Sequence, residues 1–542
     1  MNTITSLMMT LTMSLAALPA AAQTGERLGA VSFSVSCSPA ARAPFNRGVA
    51  LLHDFWYDEA RPQFEKIARS EPLCAMAHWG IAMSVFHQMW DRPDEAATAL
   101  GWRQLQIAQA HPAKSARERQ YVAALSRFFR PDKRDYQARI EDYAAAMAKL
   151  YGRYPHDVDA GAFYALSLLA AEAPDDTSLT QERKAMAVLS PLFAQHPNHP
   201  GVVHYIIHAC DTPSLAPEGL TAAEHYGEIA SSAPHAVHMP GHIFARLGMW
   251  QADIDANRAS VAASNAAEAR HESGAMDQFH SDDFLLYAYL QAGQDAAARA
   301  VIAESAAAIA HYDAMPNMAD HYMTGMFPYY RTKMPIFLAL ETRDWKSAAA
   351  LEPITGAPPE TQTQTFWARA VADGHLRQAQ QARADLAGYD SLVDQVRKGK
   401  HAYLADSVRA RIVRGEMLAW IAFAEDKAPE ALQGMQESAD LQDKVGQGEV
   451  DIPAREMLAD MLLESAQPGE ALVEYRQALK LSPNRFNGLF NAGMAAEAAG
   501  DKAQAHSYYA ALLKSTADGS QSVRPELEHA RTFLSSPSLA VN

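Results

Sequence analysis

The sequence predicts an all-α solenoid of stacked helix pairs, and three observations carry that expectation. Landmark residues recur at a fixed period: Ala459 and Gly493, Ala471 and Ala505, and Tyr475 and Tyr509 are each 34 residues apart. Self-similarity at such a period marks a repeat array. No segment alternates apolar and polar residues over a useful strand length. Finally, 49% of the 542 residues are hydrophobic and 20% charged, a folded composition on a chain too long for one core.

In chain order, residues 1–22 read as a secretory signal. Leu7 to Leu18 is apolar and Ala20 to Ala22 offer small residues for cleavage before Gln23, although no Lys or Arg precedes them. The apolar run falls short of the roughly 20 residues a membrane span needs. The expectation is therefore an exported protein, periplasmic or secreted, with no stable membrane anchor. Of the three cysteines, Cys37 and Cys74 lie within the first repeat region. In an oxidising compartment they are expected to pair and leave Cys210 as a free thiol.

An N-terminal solenoid is expected over 23–351. In "NRGVALLHDFWYDEARPQFEKIARSEP", Gly48, Ala60, Phe64 and Pro72 supply small, small, aromatic and proline landmarks, and Ala82 follows Gly48 at 34. The middle segments "HIFARLGMWQADIDANRASVAA", "FLLYAYLQAGQDAAARAVIAES" and "PIFLALETRDWKSAAAL" each show a helix, a short turn centred on Gly or Arg-Asp, and a second helix. "EPITGAPPETQTQT" (352–365) is read as a linker, and 366–542 as a C-terminal solenoid in which Pro483 closes a second helix. This pattern resembles the tetratricopeptide repeat (TPR) family. The resemblance implies antiparallel helix pairs wound into a right-handed superhelix, with the first helix of each pair lining a concave groove that can take a protein or peptide partner. The pieces "HYIIHACD" and "HAVHMPGHIFARLGMW" are also similar to those of exported bacterial repeat proteins of largely uncharacterised activity.

Charge and missing motifs narrow the function. The formal charge is −16 and no Lys/Arg-rich run occurs, which argues against nucleic acid. H-E-x-x-H, G-x-S-x-G and G-x-x-x-x-G-K-[ST] are all absent, so zinc protease, serine hydrolase and nucleotide-cofactor readings have no support.

Histidine spacing points to chemistry. Six of the 21 histidines lie between His204 and His242. His204 and His208 are four apart, as are His238 and His242, so each pair shares a helix face, and His235 extends the second stripe by a turn. By the resemblance, His235, His238 and His242 face the groove. His280 and Asp283 of "FHSDDF" sit on the next repeat, and Asp211 follows the "HYIIHAC" helix. Paired imidazoles on facing helices can close on a transition metal, copper or zinc. The expected core is His204, His208, His238 and His242, with His235, His280, Asp211 and Asp283 as outer ligands or supports. Pro240 either bends a helix or opens one near Met239.

Two other readings stay open. One is a metal-free scaffold binding a protein or peptide in the groove. The other is a metal-free enzyme using a pair such as His238 and Asp283 as acid and base. Whether the protein is an enzyme is left open by the sequence. His53 and His87, also 34 apart, with Trp56, Trp79 and Trp90 form a second candidate patch, and Tyr322, Tyr329 and Tyr330 a third. For these tryptophans and tyrosines, repeat packing is the expected role.

Overall fold

The computed structural model describes residues 25–536, apart from 90–91, 174–175, 275–276, 316–324, 449, 518–521 and 523. The signal reading of 1–22, Trp90 and Tyr322 lie outside the described residues. Among the described residues the regular structure is helical throughout and no strand occurs. Each helix packs antiparallel-pair fashion on its sequence neighbours, giving the expected all-α helix-pair solenoid.

The two helices of a pair differ in a way their sequences explain. First helices such as Ala75–Met83, Pro200–Cys210, Gln278–Gln291 and Phe486–Ala498 bury most of their residues, and the first two are apolar nearly all round. Second helices such as Trp250–Ala269 and Asp295–Asp313 bury one stripe and expose the rest. A helix apolar on every side belongs inside, and an amphipathic one belongs outside. The small landmarks let these layers meet: a Cβ on Gly48 would stand 2.6 Å from the Phe64 ring, and one on Gly493 would stand 2.4 Å from Tyr509. The turns joining the helices sit where the sequence placed them. Gly248 (φ 63°) and Gly293 (φ 70°) take the left-handed conformation, and Arg343 (φ 55°) is forced into it.

The array curls tightly. Helix Arg42–His53 packs on Pro200–Cys210, and Gln278–Gln291 packs on Phe486–Ala498. Trp56 Nε1 donates to the Ser273 carbonyl (3.0 Å), and Trp250 Nε1 donates to the Asn484 carbonyl (2.7 Å). Two of the histidine helices, Pro200–Cys210 and Gln278–Gln291, are consequently covered by a distant helix on a side where an open groove was expected.

Two large buried cores result, one from Leu28 to Ala267 and one from Ala245 to Ala530. The seam between them therefore falls near 245–267. The segment 352–365 does not separate cores: Ala339 and Ala368 share one, and helix Pro359–His375 begins inside the expected linker. Proline at the first turn starts a helix at little cost, which is how Pro359 acts here. Cys37 and Cys74 are bridged, with Cα atoms 5.3 Å apart, and Cys210 is a buried free thiol. Among the described residues no helix is long and apolar enough to cross a membrane.

Candidate metal centre

Three successive inner segments carry the imidazoles: helix Pro200–Cys210, the pair Pro234–His238 and Pro240–Arg246, and helix Gln278–Gln291. Pro240 is the first residue of its helix, so the second of the two readings of that proline holds. Met239, between the two helices, keeps helical angles (φ −52°, ψ −36°). His238 and His242 consequently still stand one turn apart.

The eight predicted site residues do not form one centre. The structure sorts the histidines into two groups of three, His204 with His208 and His235, and His238 with His242 and His280. Within each group one ring nitrogen per residue lies within 4.8 Å of the other two. His235 and His280, expected at the periphery, are full members. The groups abut, with the His235 and His238 rings 6.2 Å apart. Asp211 lies behind His242, accepting from its Nδ1 at 2.9 Å while Arg246 Nε donates to the other carboxylate oxygen at 3.0 Å. Asp283 is drawn elsewhere, into a buried ion pair with Lys333 Nζ (2.5 Å). The acid–base pairing of His238 with Asp283 is thereby not formed.

The hydrogen bonds fix which nitrogens face inward. His204 Nδ1 donates to the His53 carbonyl at 2.6 Å. His238 Nδ1 donates to Asn257 Oδ1 at 2.6 Å, and the amide orientation is set because Asn257 Nδ2 donates to the Asp253 carbonyl at 2.9 Å. With Nδ1 occupied, the Nε2 atoms turn toward each other: His204 and His208 at 3.1 Å, His238 and His242 at 2.9 Å. In neutral rings His238 and His242 would then oppose two lone pairs. A cation shared between them would resolve the conflict, with His238 and His242 as the residues that would hold it. Acceptors on the outer nitrogen are the usual support for a metal-bound imidazole.

Burial favours the neutral form of three of these rings. It pushes His204, His235 and His238 well below the ordinary histidine range, and the nearby imidazoles push the same way. Burial also raises Asp253 well above the usual carboxylate range. His204, His238 and His242 are buried, whereas His208, His235 and His280 are half-buried and give each group an outer edge.

Several participants were missed from sequence. Phe55 stacks over the first group, with ring centroids 4.4, 5.4 and 5.7 Å from His204, His208 and His235. Phe284 lies 4.8, 4.8 and 5.3 Å from His238, His242 and His280. Phe284 is one turn beyond His280, a spacing that could have revealed it; Phe55 and Asn257 carry no such signal. His53 does not pair with His87. It joins a buried network with Tyr205 (2.9 Å) and Asp159 (3.1 Å), which His199 shares. Burial pushes His53 down to about 4. Burial alone would raise Asp159, but the His199 and His53 bonds carry it below the carboxylate range. His87 stacks on Tyr57, and Trp79 and Tyr330 are core packing, as expected of the aromatics. Tyr329 instead lines a cavity of about 570 Å³ with Lys333, Trp367, Arg409 and Glu416.

No protein-family model matches the chain, and no curated protein matches it. Among solved structures the chain is similar to the TPR domain of P58(IPK), at 14% identity over 71% of this chain and 100% of that one, with a TM-score of 0.22. It is also similar to Naa15/Naa10 bound to HypK-THB, at 11% identity over 91% of this chain and 73% of that one, with a TM-score of 0.24. The helix-pair solenoid is read from the chain's own helices, and neither likeness bears on the histidines.

Proposed function

We propose that this is an exported helix-pair solenoid that binds transition-metal ions, copper or zinc, through its inner-layer histidines. The observation that carries the reading is the head-on contact of His238 and His242 through Nε2, with both Nδ1 atoms already committed to Asn257 and Asp211. Neutral imidazole is the commonest nitrogen ligand, and each group offers three. Elemental analysis of protein loaded with copper or zinc and then desalted tests it. Wild type should retain metal, and the His238→Ala/His242→Ala double variant should lose part of it while keeping its helical circular dichroism. Wild type that retains neither metal overturns the reading.

A second reading, binding of a peptide or small organic partner, rests on the cavity lined by Trp367, Tyr389, Lys333 and Arg409. Its apolar walls with a few convergent charges fit a ligand site. Loss of binding on Arg409→Ala, with metal content unchanged, would separate it from the metal site.

A further inference from the structure

We infer that the two histidine groups act together as a dinuclear copper centre that binds dioxygen. The inference rests on the metal reading above and adds the number of ions, their identity and their joint chemistry. Each group supplies three nitrogen ligands, each has its own covering ring, Phe55 or Phe284, and the groups meet where His235 and His238 stand 6.2 Å apart. Such a duplicated, abutting ligand set is what two ions sharing one exogenous ligand require.

Charge selects the metal. Imidazole ligands are neutral, and the carboxylate of Asp211 that supports His242 is already opposed by Arg246. Metal charge therefore enters the interior with little compensation. The cost of burying an ion grows with the square of its charge, so two monovalent ions are far easier to place here than two divalent ones. Cuprous copper is the monovalent ion that suits imidazole.

The redox step balances within the site. Two Cu(I) ions each give one electron to O2, forming two Cu(II) ions and one bridging peroxide, O2 with charge −2. Metal charge rises from +2 to +4 and the bridge carries −2, so the interior keeps the same net charge. No proton and no further reductant is needed for this step. The half-buried edges of His208, His235 and His280 give O2 a way in.

Full-length protein is loaded with Cu(I) under anaerobic conditions, desalted, and then exposed to O2. The expected result is two copper ions per chain, one O2 taken up per two copper ions, and a new near-ultraviolet absorption band. The cupric paramagnetic resonance signal should be far smaller than the copper content, because the bridged spins couple. His280→Gln, at a half-buried position, should lower the copper content toward one ion and abolish O2 uptake; His208→Gln should do the same from the other group. One ion per wild-type chain overturns the pairing while leaving the metal reading intact. So do two ions that give the full signal of isolated Cu(II). Undiminished O2 uptake in both variants also overturns it, whereas retention of no metal at all sinks the metal reading itself.

Discussion

Asn257 accepts the Nδ1 proton of His238 at 2.6 Å, and Gly241 is what allows it to stand there. A Cβ at position 241 would lie 2.6 Å from Asn257 Nδ2 and 2.8 Å from Asp253 Oδ1. Gly241→Ala should therefore displace the support of His238 without touching a ligand. Supports of this kind are worth about 10- to 100-fold in metal affinity. Both Gly241→Ala and Asn257→Leu should weaken copper retention in the second group by that order in a competition titration. Unchanged affinity in both would show that the Asn257 bond is idle.

The Cys37–Cys74 bridge spans 37 residues. Closing a loop of that length contributes about 4 kcal/mol by chain entropy. The double serine variant should unfold at lower denaturant by a corresponding margin. Cys210 is buried, and burial pushes its thiol up to about 12. Thiol reagents should leave native protein unlabelled and tag one site after unreduced denaturation. Three tags would show that the bridge is absent.

Ala466 and Gly500 occupy the same left-handed turn position one repeat apart, with φ 58° and 80°. Alanine in that conformation costs roughly 1 kcal/mol that glycine avoids. Ala466→Gly should raise stability by about that amount in denaturant melts. A loss of stability would mean the turn tolerates alanine without strain.

Burial pushes Glu416 up to about 8, with Asp451 adding to the rise and the Trp367 indole N–H, 2.7 Å away, opposing it. The unfolded chain releases this proton near the ordinary 4.5. Its contribution to stability is complete below about 4.5 and is lost as pH rises toward 8. Glu416→Gln should match wild type at pH 4 and exceed it at pH 9 in urea melts. An equal offset at both values would show that Glu416 titrates normally.

What the sequence conveyed was local. The 34-residue landmarks exist because Phe64 and Tyr509 need a small residue opposite, and that need is written in the neighbouring helix, at Gly48 and Gly493. The spacing of four likewise brought His204 to His208 and His238 to His242. Sorting into two groups was not legible. His235 and His238 are three apart on one short helix, yet they serve different groups, because one meets Pro200–Cys210 and the other meets Gln278–Gln291. Phe55 and the His53 carbonyl arrive from the first helix pair, about 150 residues upstream of His204. Their approach depends on the small rotation added at each repeat, which no residue pattern encodes. The packing of Pro200–Cys210 and Gln278–Gln291 against distant helices was illegible for the same reason.

Repeat arrays of the open kind can shed an end unit and leave the remainder folded, since each unit leans only on its neighbours. The packing of Arg42–His53 on Pro200–Cys210 removes that freedom. Deleting the chain before Tyr57 would strip His204 of its Nδ1 acceptor and the first group of its covering ring. It would also leave a face of Pro200–Cys210 without its apolar cover. Cooperativity here runs across the coil as well as along it, and the amino-terminal pair acts as a keystone whose loss is felt first at the histidines.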